Sequence, residues 1–243
     1  KKKRIEADQK YKEAVEMGLM EDARKYAQGV NKLDDRMVEE SKKLIRYFGF
    51  PVVDAPSEGE AQAAFLVDKG VVFASASQDF DSLLFGAKYL IRNVSVSARR
   101  KIAGTSNYKD VPIEFYDLDK NLEKLNITRE ELIIVAILCG TDFNPGGIKG
   151  IGPKKAIKLV KEYRGRFDEL FRTLDWFSYF DYSWYEVINT FKKMPVTTVN
   201  ELEFAEVDKD SVRRLLESRD FDLNMVDRSL NGIKNYKTLD KFF

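Results

Sequence analysis

Five carboxylates stand at spacings that could do metal chemistry. Glu58 and Glu60 flank a glycine in Ser57-Glu58-Gly59-Glu60, and Asp79 and Asp81 flank an aromatic in Ser77-Gln78-Asp79-Phe80-Asp81-Ser82. Asp142 follows Cys139-Gly140-Thr141. The chain has no histidine, and Cys139 is its single cysteine. That excludes Ser-His-Asp and Cys-His nucleophiles, HExxH metalloprotease sites, disulfide frameworks and Cys-rich zinc sites. A catalytic metal would have to be held mostly by oxygens, which points to Mg²⁺ or Mn²⁺ rather than zinc. Singly, these acids have plainer roles. Glu60 completes a Ser57-x-x-Glu60 capping box, Glu58 suits the positive end of a helix, and Asp79 and Asp81 suit turns. Jointly they predict a two-metal site that hydrolyses phosphodiesters.

A second constellation is Gly147-Ile148-Lys149-Gly150-Ile151-Gly152-Pro153-Lys154-Lys155. Its glycines permit tight turns with free backbone N–H groups at the positive end of the following helix. Such an arrangement binds phosphate oxygens without reading base sequence. Lys154 and Lys155 would add charge contacts to a neighbouring phosphate. Alternation of isoleucine with glycine is more than a plain loop needs, so the stretch predicts a duplex-gripping hairpin.

Charge is balanced overall, with 41 Lys+Arg against 40 Asp+Glu among 243 residues, but it is segregated. Residues 54–81 carry six acids against one base, residues 88–109 six bases and no acid, and residues 147–172 eight bases against three acids. An acidic pocket between basic stretches suits a polyanion that is gripped on both sides and attacked in the middle. A mean hydropathy of −0.40 and the lack of any long apolar run argue against a membrane span.

The elements that must carry these groups read as follows. Residues 1–48 form two polar helices, broken near Gly18 and Gly29, with Ile5, Tyr11, Val15, Leu19, Met37, Leu44, Ile45 and Phe48 as their apolar stripe. Strands are expected at 50–53, 71–76, 89–94 and 111–116, with a helix from Glu58 to Gly70 and a basic loop around Gly104. Strand, helix, strand at this spacing predicts an α/β fold with a buried, mainly parallel sheet. In such a sheet the loops bearing Glu58, Glu60, Asp79 and Asp81 fall on one edge, where open α/β folds place their sites. Beyond Asp119 the chain turns helical, opening on a Thr128–Glu131 capping box, with Pro153 at the first turn of a later helix. The aromatic run Trp176, Phe177, Tyr179, Phe180, Tyr182, Trp184 and Tyr185 reads as core beneath a loop.

Here the residues carry a resemblance. DAPSEGEAQAAFL, SQDFDSLLFG, LCGTDF and GIKGIGPKKA, in this order and spacing, resemble the structure-specific 5′ nucleases, most of all the archaeal-type flap endonucleases. The resemblance spans essentially the whole chain. It implies a PIN-like nuclease core with a helix–hairpin–helix over about 130–163 and a helical C-terminal region. It implies that Glu58, Glu60, Asp79, Asp81 and Asp142 hold two Mg²⁺ ions, for which Mn²⁺ can substitute. Gly147, Lys149, Gly150, Gly152, Lys154 and Lys155 would hold duplex DNA, with a monovalent cation such as K⁺ at the hairpin. The implied reaction is removal of 5′ flaps from branched DNA in replication and repair, inside the cell and with its DNA, whether cytoplasm, nucleoid or nucleus. Family members begin with two further metal-site aspartates and a helical arch bearing a catalytic Lys and Arg. Nothing in this chain matches those aspartates. Lys1–Arg4 would fall just beyond that basic pair and could line the flap passage. The chain is therefore expected to be the C-terminal part of a longer protein, active as a whole and nearly inactive as this piece.

Residues 1–235 are expected to belong to one nuclease domain, and 236–243 to a tail. Tyr236, Leu239, Phe242 and Phe243 resemble the sliding-clamp-binding peptide, with Tyr236 where that peptide has Gln. Two competing readings are a non-catalytic DNA-binding clamp adaptor, for which hairpin and tail suffice, and an aspartyl-nucleophile phosphatase using Asp79-x-Asp81. The latter leaves Glu58 and Glu60 idle.

Overall fold

The structure, a computed structural model, describes residues 2–23, 26, 34–94, 99–101 and 108–233. The tail residues Tyr236, Leu239, Phe242 and Phe243, Lys1, and the loop around Gly104 lie outside the described residues, as does Gly29. Two compact units are present: Lys1–Val52 with Glu203–Phe243, and Val53–Leu202.

The first unit is helical. It contains α1 (Lys2–Glu16), α2 (Asp35–Tyr47), α10 (Lys209–Glu217) and α11 (Leu223–Gly232). Val212, Val226 and Leu230 make its buried centre, with Leu44, Tyr47 and Phe48 packed on them. Only part of the expected stripe is used, because Val15, Leu19, Met37 and Ile45 are exposed. Gly49 cannot carry a side chain: its φ is +82°, and a Cβ would stand 2.1 Å from the Ala205 carbonyl oxygen. That close approach lets the Ala205 N–H reach the Gly49 carbonyl at 2.9 Å.

The second unit is α/β. Its elements are α3 (Gly59–Asp68), β1 (Ser75–Ala76), α4 (Asp81–Leu84), β2 (Tyr89–Arg92), β3 (Arg99–Lys101), β4 (Tyr108–Asp110) and β5 (Glu114–Asp117). They continue with α5 (Leu118–Leu125), α6 (Arg129–Cys139), α7 (Pro153–Glu162), α8 (Phe167–Thr173), a 3₁₀ turn (Trp176–Ser178) and α9 (Trp184–Lys193). β1 pairs with β2 in parallel, but β5 pairs with β2 antiparallel, so the described sheet is mixed rather than mainly parallel. β3 and β4 form a separate antiparallel pair.

Three strands are shorter than their apolar runs, or absent, each for a backbone reason. Residues 50–53 form no strand among the described residues, and Pro51 has no N–H to give a ladder. The Val71 and Val72 amides instead donate to the Leu66 carbonyl at 2.9 and 3.3 Å, closing the end of α3, so β1 starts only at Ser75. Pro112 holds β5 back to Glu114, and the Asn93 side chain takes the Pro112 carbonyl at 3.0 Å.

The main core lies among α6, α7, α8 and α9, around Ile133, Ile134, Ile137, Leu138, Val160, Leu170 and Phe171. Trp176 is buried in it, with Phe180, Tyr182 and Trp184 packed against it, as expected of the aromatic run. Phe177, Tyr179 and Tyr185 are the exposed members. The Thr128–Glu131 capping box forms as expected, with both reciprocal bonds present. No helix among the described residues is long and apolar enough to cross a membrane.

Candidate active site

The five carboxylates arrive from three loops of the second unit. Glu58 is the N-cap of α3 and Glu60 lies in its first turn. The expected Ser57–Glu60 capping box does not form: α3 opens at Gly59, and its cap residue makes no side-chain bond. Glu60 is engaged elsewhere, its Oε1 accepting from the Ser77 hydroxyl at 3.3 Å. The same Ser77 oxygen accepts the Asp79 N–H at 3.1 Å, so one hydroxyl links the two acidic loops. Asp79 follows β1, and Asp81 opens α4.

Asp142 sits in the turn after α6. Buried Asn144 holds this turn. Its Nδ2 donates to the Ile137 carbonyl at 2.7 Å, and its Oδ1 accepts from the Thr141 hydroxyl at 2.7 Å. The Tyr182 hydroxyl donates to the Phe143 carbonyl at 2.9 Å and steadies the far side.

Asp79, Phe80, Asp81, Asp142, Thr141, Gly140 and Cys139 line one open cleft of about 620 Å³. Asp81 is its most enclosed acid. Burial pushes its carboxyl above the usual range, and the negative charges of Asp142, Asp79, Glu60 and Glu58 push it further the same way. All five acids thus share one electrostatic neighbourhood around Asp81. None is in an ion pair among the described residues, so protein cations do not offset their mutual repulsion. Among the described residues, no three acids stand close enough to hold an ion with their side chains as placed. The donor set nevertheless fits a hard divalent cation: carboxylate oxygens only, charge unneutralised, cleft open to solvent. Cys139 also lines the cleft, but burial raises its thiol above the usual range, which keeps it protonated and inert.

The glycine hairpin hangs from the same end of α6. Ile148 and Ile151 are buried in the main core and pin the turn from inside. Gly147 is interior as well. Its φ is +54°, and a Cβ would lie 2.4 Å from the Cys139 carbonyl carbon. Its N–H donates to the Asn144 carbonyl at 3.2 Å. Gly147 therefore supports the turn, while Lys149, Gly150, Gly152, Lys154 and Lys155 are exposed. Gly150 takes φ +80°, and Gly152 is the N-cap of α7, followed by Pro153 at its first position. The N–H groups of Gly150, Gly152, Lys154 and Lys155 have no protein acceptor among the described residues. Carboxylates and hairpin meet through Gly140 and Gly147, where a Cβ on Gly140 would lie 2.7 Å from the Gly147 nitrogen.

Three positions without a sequence-level role emerge: Ser77, Arg92 and Asn144. Ser77 sits inside a motif already singled out and Asn144 directly follows one, whereas Arg92 carries no local signal. The second unit thus brings together both constellations read from sequence.

The XPG I-region family matches residues 49–142, the span that holds all five carboxylates. The chain is 44% identical to the flap endonuclease 1 of Pyrococcus horikoshii over 96% of its own length and 66% of the relative's. It is also 44% identical to that of Staphylothermus marinus, over 98% of its own length and 68% of the relative's. The chain therefore spans about two thirds of the length of the curated relatives it matches. The solved flap endonuclease-1 of Methanococcus jannaschii superposes with a TM-score of 0.67 at 36% identity, covering 87% of this chain and 61% of that one.

Proposed function

The chain belongs to the flap endonuclease 1 family, and from that premise we propose that its protein is a divalent-metal-dependent, structure-specific endonuclease that removes 5′ flaps from branched DNA during replication and repair. One observation carries the reading: Asp81 lies in the field of four other carboxylates, beside a hairpin of free backbone amides and lysines. Glu58, Glu60, Asp79, Asp81 and Asp142 would hold two Mg²⁺ ions, or Mn²⁺ in their place. When bound, such ions supply a metal-activated water and stabilise the charge that builds up in phosphodiester cleavage.

The chain's own groups do the rest. Gly150, Gly152, Lys154, Lys155 and Lys149 grip phosphates of the duplex, and Gly147 sets the turn from beneath, with K⁺ as a candidate occupant of the hairpin. Because these contacts are to backbone phosphates, binding is independent of base sequence. Specificity then comes from the shape of the branched DNA. Residues 1–235 would form the C-terminal part of one nuclease domain. Tyr236, Leu239, Phe242 and Phe243 would tether it to a sliding clamp, and changing Phe242 and Phe243 to Ala should abolish clamp binding by the tail in calorimetry. The protein would work with DNA inside the cell.

The central test is cleavage of a 5′-flap substrate by the full-length protein carrying Asp79→Asn or Asp81→Asn. Loss of at least about a thousandfold in rate is expected, with binding to the branched duplex retained. Full activity in either variant would sink the assignment.

A further inference from the structure

Arg92, the last residue of β2, makes three contacts, two of them to the loop carrying Asp79 and one to β5. Its Nε donates to the Gln78 carbonyl at 3.0 Å. Its Nη1 donates to Glu114 Oε2 at 3.0 Å. Its guanidinium carbon lies 4.2 Å from the centre of the Phe80 ring. Arg92 therefore holds the residue before Asp79 by its carbonyl and the residue after it by its ring.

The far side of this clamp is itself fixed. Glu114 faces Arg92 directly across the β2–β5 ladder. Tyr116, two residues on and hence on the same face, donates its hydroxyl to Glu114 Oε2 at 3.1 Å. Tyr116 also packs against Phe80 edge to face, with ring centres 5.1 Å apart. Glu114, Arg92, Phe80 and Tyr116 thus form a closed circuit rooted in two paired strands. The Asp79 N–H is already committed to the Ser77 hydroxyl. Asp79 itself lines the cleft, and its carboxylate is in no ion pair among the described residues.

The chemistry suits arginine and no other cation. A guanidinium can donate from two directions in its plane while its face lies on an aromatic ring; an ammonium cannot do both. Glu114 takes the positive charge, and none of the five site carboxylates pairs with Arg92. Arg92 is placed to orient the loop rather than to neutralise it.

We propose that Arg92 is a positioning residue that locks the Gln78–Asp81 loop and so holds Asp79 and Asp81 where a divalent cation needs them. The inference rests on the reading of those acids as metal ligands, and its test separates the two. Manganese binding to the full chain is followed by electron paramagnetic resonance, with metal-free melting and circular dichroism as checks on folding. Arg92→Lys keeps the charge and loses the fork and the stacking face. It should weaken Mn²⁺ binding about tenfold, as removal of a ligand-orienting partner does. Arg92→Gln should weaken it too. If Arg92 acted by charge alone, Arg92→Lys would match the native chain, and Arg92→Gln would bind the cation more tightly; either result overturns the proposal. Should Arg92→Lys fail to fold, Tyr116→Phe frees Glu114 without touching the loop and should cost about two- to threefold, whereas unchanged binding there would overturn it. Asp79→Asn is the separating control. If that variant binds Mn²⁺ like the native chain, the metal reading itself fails; if it loses binding while Arg92→Lys does not, only the role of Arg92 fails.

Discussion

The hairpin and the acidic cluster share one end of α6 and are built on opposite principles. The hairpin is made of backbone. Ile148 and Ile151 anchor it in the core, Gly147 is fitted against Cys139 and Gly140, and the N–H groups of exposed Gly150, Gly152, Lys154 and Lys155 have no protein acceptor among the described residues. The turn that would meet a phosphate is therefore set by backbone packing rather than by a ligand. The acidic cluster is made of side chains that repel one another, carried on three loops and steadied by neutral or distant partners: Ser77, Asn144 and Arg92. A grip built from amides can be rigid and empty, whereas a cluster of carboxylates is held against its own charge.

The contrast breaks most sharply at the glycines. Gly147→Ala puts a Cβ within 2.4 Å of backbone at φ +54° and should cost about 3 kcal/mol or more. For a chain of this size that lowers Tm by roughly 6–12 °C. Gly150→Ala, at φ +80° with open space around it, should cost only about 1 kcal/mol. Calorimetric melting of the two variants side by side is the check. Equal losses would mean that the hairpin is not packed from inside.

On the acidic side, the largest stability effect should come from a residue with no charge. Asn144→Ala leaves the Ile137 carbonyl and the Thr141 hydroxyl without their buried partner and should cost about 2 kcal/mol. Hydrogen exchange should rise at Phe143 and Gly147, and little in α8. A melt unchanged from the native chain would show that the Asp142 turn needs no such brace.

How much of this was legible in the sequence depends on the distance between partners. The Thr128–Glu131 box was readable because both bonds close within one helical turn. Ser57 and Glu60 offer the same spacing and do not close, because Glu60 finds Ser77, seventeen residues on in another loop. Residue type announced the carboxylates, and alternation of glycine with isoleucine announced the hairpin. Their supports stayed hidden: Arg92 works through Glu114, twenty-two residues away, and no local pattern encodes that pairing. The mixed sheet was hidden for a similar reason, since an apolar run states that a strand is buried and says nothing of its direction.

The hairpin's charge can be tested apart from its backbone. Changing Lys154 and Lys155 to Gln should weaken binding to duplexes of any sequence by about tenfold at low salt. It should also reduce the slope of log affinity against log salt by about 0.9 for each phosphate that a lysine no longer neutralises. Filter-binding titrations across salt concentrations measure both. An unchanged slope, or a weakening confined to one DNA sequence, would leave the amides alone as the grip.

The smallest expected effect carries the sharpest sign. Asp81 has its carboxyl raised by burial first and by its four acidic neighbours next. A carboxyl whose folded value lies above its unfolded value binds its proton more tightly in the native state, so its ionised form costs stability at neutral pH. Asp81→Asn removes that charge at nearly constant volume and should therefore stabilise the metal-free protein. Water still reaches the group, so the gain should be a few tenths of a kcal/mol and at most about 1, or a rise in Tm of roughly 1–3 °C. Saturating Mg²⁺ should reverse the ranking: at a hundred times its dissociation constant a ligand adds about 2.7 kcal/mol to a protein that binds it, and the variant should gain far less. The two melting curves ought to cross as Mg²⁺ is added. Curves that never cross, with the variant less stable throughout, would mean that Asp81 is a structural hydrogen-bonder rather than one of five charges gathered for a cation.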